Sequence, residues 1–490
     1  MKYVFNHFYI LHHDIDRTII TTHLTNKSNV EVNEDWLSYN HPIYAMMFSF
    51  FSKPIDLEAA ILKIAYFYDF EIEYTKKLVS LFLENDHIIN ISYDGNINSF
   101  PKNILIKEYD SVYSEREYNP DMFLYSQVDI DTIRMKKAPL GVTFMINNKC
   151  LTNCIYCYAD RSTHCAQMSF ENLKHIVADA RQLNVEEFNL DGGEFFLYPH
   201  WKKLLKLLAD YKYKPAIIST KYPITESDIE FIKPYGIGLQ VSLDSLNQST
   251  LDLIVGHIEN YASRIKDSLI KIDSAMPFQI ATVLTRFNGT ISELEKIYQF
   301  ILRCKNIKRW EVRVAFKSLY SKNNFEDILV NKETIKELEK WVMKVRKDSP
   351  FDIQWSPGRE TDFFKSDVGS SGFRGGRCTA NSTHCFILPD GKVTICEQLY
   401  WKRAFIIGDL TINSLAEIWN SDRALSLAHM KQTEYSIKSA CRHCDIFKQC
   451  KKYMNCCIPN ILKVYGDENW DYPDPRCSKA PRNINQKIYV

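Results

Sequence analysis

The chain has 490 residues, 45% of them apolar and 25% charged, which is long enough for two or three packed domains. Its 61 basic and 60 acidic side chains nearly cancel, and this balance argues against nucleic acid as a partner. The longest apolar runs, such as residues 43–51, are shorter than the ~18 residues of a membrane span. The first residues carry no recognisable export signal, so we expect a cytoplasmic protein without a membrane partner.

Residues 1–100 are predicted to form a small domain with the element order of a winged helix. Apolar residues recur at helical spacing over residues 57–68 and again over 74–82. An alternating pattern then runs into Asp94-Gly95, which favours a tight hairpin because that turn needs positive φ. This region has seven basic and thirteen acidic side chains, which argues against DNA binding. Residues 101–137 show no sustained period, and we interpret them as a linker.

Strand and helix patterns alternate from residue 138 to 347. The predicted strands are 140–146, 187–190, 216–220, 238–243, 278–284 and 309–316, and the predicted helices include 170–183, 201–211, 291–304 and 331–347. Ser169 and Thr225 are good N-caps in front of two helical segments. The alternation predicts an α/β fold, either a barrel or an open doubly wound sheet, with its site at the C-terminal strand ends. Polar residues near those ends are Asp191, Lys221, Thr285 and Arg313.

The fourteen cysteines are unevenly distributed. None occurs in residues 1–149, five lie between 150 and 304, and nine lie between 378 and 477. In a reducing cytosol, clustered thiols more often bind metal than form disulfides. Residues 348–490 are therefore predicted to form a domain that metal centres hold together.

The first cysteine group is Cys150-x3-Cys154-x2-Cys157, directly after the first predicted strand. Three thiolates on one short loop can hold three irons of a 4Fe–4S cluster and leave the fourth iron open. A zinc loop is the alternative, although zinc prefers a closed shell of four ligands. The nearest candidates for a fourth ligand are His164 and Cys165.

This loop resembles the signature of the radical S-adenosylmethionine (SAM) superfamily, which has an aromatic residue before the third cysteine, here Tyr156. A second element agrees, because Gly192, Gly193 and Glu194 follow the second strand, where that family has a Gly-Gly-Glu segment. Glycines there allow close backbone approach, and a glutamate can hold the ammonium of the methionine part of SAM. The resemblance thus implies that these residues bind SAM.

The fourth predicted strand ends in Ser242 and Asp244, which resemble the family's Ser-x-Asp position near the ribose; a simple helix cap is the alternative. Many relatives carry an Arg-Gly pair about a dozen residues later, but Val255-Gly256 stands there in this chain. The cationic partner of the SAM carboxylate is therefore unidentified, and Arg313 is one candidate. The resemblance implies a partial (β/α)6 barrel in which reductive cleavage of SAM yields a radical that abstracts a hydrogen atom.

The C-terminal cysteines resemble the SPASM extension of radical SAM peptide- and protein-modifying enzymes, which carries two auxiliary 4Fe–4S clusters. By that resemblance, the first auxiliary cluster is bound by Cys378, Cys385, Cys396 and one of Cys456 or Cys457, of which we select Cys456. The second is bound by Cys441, Cys444, Cys450 and Cys477. The common pattern places the crossing ligand earlier, at Met454, so its identity is open. Zinc ribbons are the alternative to these clusters.

Several SPASM enzymes mature ribosomally made peptides and begin with a winged-helix domain that binds the leader of the precursor as an added strand. Residues 1–100 resemble that domain in outline, although a purely supporting role is the alternative. We therefore predict a radical SAM maturase with three 4Fe–4S clusters that acts on a precursor peptide and receives electrons from a flavodoxin or ferredoxin. Its leading predicted product is an oxidative cross-link of the thioether type.

Other functions stay open at this stage. A carbon–carbon or carbon–oxygen cross-link is the nearest rival product. A sulfatase-type maturase that forms formylglycine shares both cysteine patterns but has no need of a winged helix. Outside enzymes, the same cysteines fit an iron–sulfur scaffold or an electron carrier.

Overall fold

The computed structural model describes residues 1–22, 26–112, 116–163, 165–321, 324–357, 378–452 and 456–481. His164 and Met454, both named above, lie outside the described residues. The chain divides into two compact units, Met1–Ala138 and Pro139–Val490. No helix among the described residues is both long and apolar enough to span a membrane.

The first unit combines short strands with three helices. Its strands are β1 (Lys2–Phe5), β2 (Tyr9–His13), β3 (Thr18–Thr22), β4 (Leu37–Asn40), β5 (Ile55–Asp56), β6 (Ile89–Tyr93), β7 (Asn96–Phe100) and β8 (Leu105–Lys107). Its helices are α1 (Pro42–Ser49), α2 (Leu57–Tyr68) and α3 (Ile72–Ser80). The strands pair in the orders β5-β1-β8, β2-β3-β4 and β6-β7.

The helices and the hairpin of the first unit follow the predicted order. Asp94 and Gly95 have φ values of 49° and 71°, so both central residues of the β6–β7 turn are left-handed, as predicted. The hairpin is anchored by Phe100, whose ring lies 5.7 Å from that of Phe48 in α1 and 5.0 Å from that of Phe82 after α3. These packed rings form the centre of the first core. Its identification as a winged helix stays a prediction.

The segment interpreted as a linker contributes to the first unit. In β8, Ile106 pairs with Val4 of β1 in an antiparallel ladder. Further along, the Arg17 guanidinium donates to the carbonyl of Arg134, and Lys136 forms an ion pair with Asp16. These contacts explain why the compact unit extends to residue 138.

The second unit alternates strands and helices before it becomes irregular. Its strands are β9 (Gly141–Met145), β10 (Glu187–Asp191), β11 (Ile217–Thr220), β12 (Gly238–Ser242), β13 (Phe278–Leu284), β14 (Ile307–Val314), β15 (Asp352–Ser356), β16 (His384–Ile387), β17 (Lys392–Thr394) and β18 (Ile406–Asp409). Its helices are α4 (Phe170–Gln182), α5 (Trp201–Asp210), α6 (Glu226–Ile232), α7 (Gln248–Val255), α8 (Tyr261–Ala275), α9 (Ile291–Ile301), α10 (Lys332–Asp348), α11 (Leu415–Trp419), α12 (Asp422–Ala428), α13 (Phe447–Lys452) and α14 (Ile458–Tyr465).

All six predicted strands of this region are present and run parallel to their sheet neighbours, as βαβ units require. They are divided between two sheets, with orders β10-β9-β16-β17-β18 and β11-β12-β13-β14-β15. Two further parallel strands extend these sheets, because β15 pairs with β14 and β16 pairs with β9. Sequence reasoning missed both strands. They are short, and they come after the end of the region in which strands and helices alternate regularly.

The predicted helix starts are also confirmed. The Ser169 side chain accepts a hydrogen bond from the backbone N–H of Asn172, and Thr225 forms a capping box with Asp228. An N-cap fixes the residue at which a helix begins. The chain therefore enters α4 and α6 at defined points after the preceding strands. Residues that follow the strands are thereby held at the C-terminal edge of the sheets.

Candidate functional site

The cysteine loop begins at the C-terminal end of β9 and is tied to the segment that follows β10. The N–H of Gly193 donates to the carbonyl of Asn147 at 2.7 Å, and the N–H of Glu194 donates to the carbonyl of Lys149 at 2.7 Å. The Asn147 side chain also donates to the carbonyl of Glu194 at 3.0 Å. Backbone hydrogen bonds therefore join the start of the cysteine loop to the Gly-Gly-Glu segment.

Glycine is required at this junction for a steric reason. A Cβ on Gly193 would lie 2.0 Å from the carbonyl oxygen of Lys149, and one on Gly192 would lie 2.7 Å from that of Asn147. Gly192 also has a φ of 142°, which side-chain-bearing residues rarely adopt. The sequence predicts that these glycines make room for a cofactor, and the structure shows that they make room for the backbone before Cys150.

The far side of the loop is held by the end of α7. The N–H groups of Asn153 and Ile155 donate to the carbonyls of Val255 and Ile254 at 2.7 and 2.9 Å. Val255 therefore supports the loop through its backbone, whereas its apolar side chain supplies no charge.

The three loop cysteines line one cavity of about 390 Å³, together with Gly192, Gly193, Glu194 and Ser242. Burial raises the pKa of Cys150 to about 12 and also raises the pKa of Cys154. Thiols in this setting ionise only when a positive centre compensates for lost hydration. Within the described residues, no group of three His, Cys, Asp or Glu side chains is spaced to hold a single metal ion.

Glu194 is buried at the wall of this cavity. Its carboxylate accepts hydrogen bonds from the Thr220 hydroxyl at 2.6 Å and from the Lys221 N–H at 2.9 Å. Burial raises the pKa of Glu194, and these two donors oppose that effect by favouring the ionised form. The carboxylate is thus fixed in place by the end of β11, in a position to accept from a bound ammonium.

Tyr156, Lys221 and Asp244 form a buried cluster between the cysteine loop and the ends of β11 and β12. The Tyr156 hydroxyl donates to Asp244 Oδ2 at 2.5 Å, and Lys221 Nζ donates to the same oxygen at 2.7 Å. The N–H of Val283 donates to Asp244 Oδ1 at 2.9 Å. Burial alone would lower the pKa of Lys221, but the attraction of Asp244 outweighs it and raises that pKa.

Other residues singled out from the sequence are divided between this cavity and the rest of the barrel. Asp191 lines the cavity, and burial raises its pKa. Thr285 is buried in a turn, where its hydroxyl donates to Asn288 at 2.9 Å. Arg313 pairs with Glu311 and is 38% exposed, outside the residues that line this cavity. Among the described lining residues, the cations are Arg161 and Lys221.

Glu397 was missed by sequence reasoning, although it directly follows Cys396. Burial and, to a smaller extent, the nearby Asp191 carboxyl raise the pKa of Glu397 to about 7. Tyr158 lies in the same neighbourhood and donates to Asp191 at 3.4 Å. Asp191 and Glu397, which are distant in the sequence, therefore interact electrostatically near the cysteine loop. No sequence motif predicts this interaction.

The C-terminal cysteines line two smaller cavities. One, of about 120 Å³, is lined by Cys378, Cys396, Cys450, Cys456 and Cys457. The other, of about 30 Å³, is lined by Cys441, Cys444, Cys450, Cys456 and Cys477. Cys385 is buried in β16 and is not among the described residues that line either cavity.

The neighbours of Cys456 and Cys457 differ. Cys456 hydrogen-bonds with the Cys450 side chain, and its charge acts on Cys441 and Cys477 and also on Cys378. Burial raises the pKa of Cys457 to about 11, with Cys378 among the charges that act on it, and Cys457 in turn acts on Cys396.

A buried ion pair connects the segments that carry these cysteines. Arg476 donates to both carboxylate oxygens of Asp474 at 2.7 Å. The same carboxylate accepts from the N–H of Cys457 at 2.9 Å, and the N–H of Cys477 donates to the carbonyl of Asp474 at 2.7 Å. Asp474 thereby sets the positions of two cysteines that are twenty residues apart.

Comparison with known families agrees with this geometry. Residues 144–301 match the model of the radical SAM superfamily, and residues 378–445 match SPASM, an iron–sulfur cluster-binding domain. The chain therefore contains a radical SAM domain and a SPASM domain. The predicted SAM-binding and iron–sulfur character of the chain is confirmed at this level.

One curated relative aligns with part of this chain. The antilisterial bacteriocin subtilosin biosynthesis protein AlbA of Bacillus subtilis (strain 168) is 24% identical over 164 residues, which is 33% of this chain and 36% of AlbA. The aligned part thus spans little more than a third of that relative.

Among solved structures, SuiB of Streptococcus suis bound to SAM has a TM-score of 0.61 and 15% identity, and the match covers 97% of this chain and 100% of SuiB. SuiB bound to the precursor peptide SuiA has a TM-score of 0.62 and 16% identity, covering 98% and 100%. At such low identity the likeness shows the fold, and it confirms the predicted α/β architecture of the radical SAM type.

Proposed function

We propose that this protein is a radical SAM peptide maturase that binds a ribosomally made precursor through its leader and closes an oxidative cross-link, in the first instance a thioether. The observation that carries this proposal is the cavity of about 390 Å³ where the cysteine loop, the Gly-Gly-Glu segment and the ends of β11 and β12 meet. The similarity to AlbA, a bacteriocin biosynthesis protein, and to SuiB, which binds a precursor peptide, supports a peptide substrate.

The residues of the cavity suit the cofactors of this family. Cys150, Cys154 and Cys157 would hold a 4Fe–4S cluster, Glu194 the methionine ammonium, and Ser242 the ribose. When bound, SAM and the reduced cluster supply hydrogen-atom abstraction, with electrons from a flavodoxin or ferredoxin. Asp244 already accepts from three protein donors, which favours a positioning role for it over the direct ribose contact expected from the sequence.

For the auxiliary clusters we assign Cys457, not Cys456, as the ligand that joins Cys378, Cys385 and Cys396. The charge of Cys378 acts on Cys457, and the charges of Cys378 and Cys457 act on Cys396, which supports this choice. The charge of Cys456 also acts on Cys378, so the two adjacent thiols have to be compared by experiment. Cys456 instead belongs with Cys441, Cys444, Cys450 and Cys477, where it would be a fifth thiol. This arrangement keeps three clusters in total and changes one ligand.

For the leader we assign the outer edge of β6. This strand pairs with β7 in a two-stranded sheet, and the exposed apolar side chains Ile88, Tyr93 and Ile97 lie on the hairpin. An edge strand with apolar side chains can accept another extended chain, because its outward N–H and C=O groups are free to form a ladder. Acidic side chains outnumber basic ones in residues 1–100, so a leader with basic residues fits best.

The reaction balances as a two-electron oxidation of the peptide. One C–H bond and one S–H bond of the substrate break, and one C–S bond forms. The carbon gives up a hydrogen atom to the SAM-derived acceptor, the thiol gives up a proton, and one further electron leaves to an iron–sulfur centre. The cavity walls exclude water from this exchange.

Anoxic reconstitution with iron, sulfide, SAM and dithionite tests the proposal. We expect the loaded protein to form 5′-deoxyadenosine and, with a cysteine-containing precursor, a product that lacks two hydrogen atoms and one alkylatable thiol. Loss of two hydrogens with every thiol still alkylatable would indicate a carbon–carbon or carbon–oxygen link instead. Failure to cleave SAM with all clusters bound would favour an iron–sulfur scaffold and contradict the proposal.

A proline in β6 tests the leader site separately. Tyr93 and Asn96 flank a two-residue turn, so by alternation the N–H of Ser92 points away from β7. We expect Ser92→Pro to leave the hairpin intact while weakening binding of a fluorescent leader peptide by roughly tenfold. Ile437→Glu, at an exposed apolar side chain of the second unit, is the control and should leave leader binding unchanged. Unchanged leader affinity in Ser92→Pro would contradict the β6 assignment.

A further inference from the structure

Lys221, the residue directly after β11, brings a buried positive charge into the cysteine-lined cavity. Its side chain is only 13% exposed. Its backbone N–H binds the Glu194 carboxylate, and its Nζ binds Asp244 Oδ2 at 2.7 Å. The ammonium therefore lies beside Asp244, and its charge acts on Glu194, the carboxylate that we assign to the methionine end of SAM.

The hydrogen-bond capacities of Lys221 and Asp244 are unequal. An ammonium has three donors, and within the described residues the hydrogen bond from Nζ goes to Asp244. Asp244 accepts from Lys221, from the Tyr156 hydroxyl and from the Val283 N–H. The carboxylate is thus nearly saturated, whereas the ammonium keeps donors for a ligand in the cavity.

The other cations near the cavity lie at different places. Arg161 lines the cavity and keeps further donors, but its Nη1 donates to the carbonyl of Thr152 at 2.7 Å and its charge acts on Cys150, so it serves the Cys150 side of the loop. Arg313, the candidate from the sequence, pairs with Glu311 on β14. Val255 stands where many relatives have an arginine, and its side chain carries no charge.

We propose that Lys221 donates to the carboxylate of the methionine part of SAM and so replaces the arginine whose place Val255 occupies. This inference rests on the proposed binding of SAM in this cavity. The ammonium and carboxylate of methionine are attached to one carbon. Lys221 and Glu194 line one cavity and are joined by the Lys221 backbone N–H, so a cation on the Lys221 side chain can complement the acceptor at Glu194. Asp244 then acts as a positioning residue that holds Lys221 and Tyr156.

The test compares SAM with decarboxylated SAM, which keeps the sulfonium, the amine and the nucleoside. Binding of each to the anoxic, cluster-loaded protein is measured by equilibrium dialysis. We expect Lys221→Met to weaken SAM binding by about 10- to 100-fold and to change binding of decarboxylated SAM by less than about twofold. The EPR signal of the reduced cluster should respond less to added SAM in this variant, and its iron content should stay unchanged.

Two further variants separate recognition from structural support. Lys221→Met combined with Asp244→Asn removes both charges of the buried pair, so it stays measurable even if the single variant loses its fold. Recovery of the wild-type preference for SAM in this double variant would overturn the proposal, since Lys221 would then only neutralise Asp244. Equal weakening of both ligands, or loss of the preference in Arg161→Met instead, would overturn it too.

Lys174→Met, which removes a solvent-facing lysine paired with Glu171 on α4, is the matched control and should bind both ligands normally. If the wild-type protein binds no SAM at all, the proposed function fails. If the wild type binds SAM and Lys221→Met binds it equally well, the assignment of Lys221 alone fails.

Discussion

The two cysteine regions of this protein are built in different ways. The loop of Cys150, Cys154 and Cys157 is one short segment clamped on both sides by backbone hydrogen bonds, to Gly193 and Glu194 and to the end of α7. The C-terminal cysteines come from segments spread over a hundred residues, and side-chain contacts such as Asp474 with Arg476 bring them together. Ligands of a contiguous loop can be read from spacing, whereas those of a dispersed site depend on packing.

This difference has a functional counterpart. Under the proposed assignment, a loop that presents three ligands from eight residues leaves the fourth direction open toward the cavity of about 390 Å³ that these cysteines line. The C-terminal cavities, of about 120 and 30 Å³, are smaller and are lined by more thiols. The open cavity beside the loop is suited to binding and converting a substrate. The smaller C-terminal cavities are suited to fully ligated iron–sulfur clusters that store or transfer electrons.

The largest effect is expected when all three cysteines of the loop are removed together. We expect replacement of Cys150, Cys154 and Cys157 by alanine to abolish SAM cleavage and to remove about a third of the bound iron. Iron analysis and detection of 5′-deoxyadenosine by mass spectrometry measure both effects. Cys304→Ala is the control, because that thiol lies at the end of α9 outside every predicted cluster. SAM cleavage by the triple variant would refute the assignment of the site.

The clamp of the loop can be broken without touching a cysteine. Gly193→Ala should displace the loop and greatly reduce SAM-side cluster assembly, because its Cβ would meet the Lys149 carbonyl oxygen at 2.0 Å. Gly256→Ala, beside the other clamp, adds a Cβ in ordinary contact with Asn153 at 3.6 Å. The Gly256 φ of 85° and ψ of 158° are rarely adopted by other residues, so the variant should cost about 1–3 kcal/mol of backbone strain without a steric clash at the loop. Equal iron loss in the two variants would contradict a steric role for Gly193.

The dispersed site is tested by separating two adjacent cysteines. We expect Cys457→Ser to perturb the auxiliary cluster bound by Cys378 and Cys396 and to reduce product formation, while SAM cleavage continues. Cys456→Ser should have a smaller effect, since it removes a thiol from the cavity lined by Cys441 and Cys477. Mössbauer spectra of the two variants, each loaded with iron-57, distinguish them. The reverse order of effects would restore Cys456 as the ligand.

The smallest expected effect concerns the ion pair beside the auxiliary cysteines. Arg476→Lys keeps a positive charge next to Asp474 but loses the paired geometry of the guanidinium. We expect a cost of about 1 kcal/mol in stability, seen as a lower thermal unfolding midpoint, with SAM cleavage unchanged. Arg403→Lys, on an exposed stretch before β18, serves as the comparison. A drop in SAM cleavage in Arg476→Lys would show that the C-terminal cysteine region influences the cysteine loop, contrary to the independence inferred from their separate backbone and side-chain contacts.

Local patterns predicted much of the fold because short-range physics sets them. The six strands, the hairpin at Asp94-Gly95 and the caps at Ser169 and Thr225 all follow from periodicity, positive φ and side-chain capping within a few residues. The strands β15 and β16 were missed because short strands gain their stability from partners distant in sequence.

The sequence by itself determined the cysteine loop, the Gly-Gly-Glu segment and the order of strands and helices, since each is encoded in neighbouring residues. Only the tertiary structure decided that Lys221 and not Arg313 lines the cavity, that the Asp191 carboxyl acts on Glu397, and that Cys456 and Cys457 line one cavity with Cys378. These pairs are separated by many residues in the chain. Their contacts arise from how strands and loops pack, which no local pattern records.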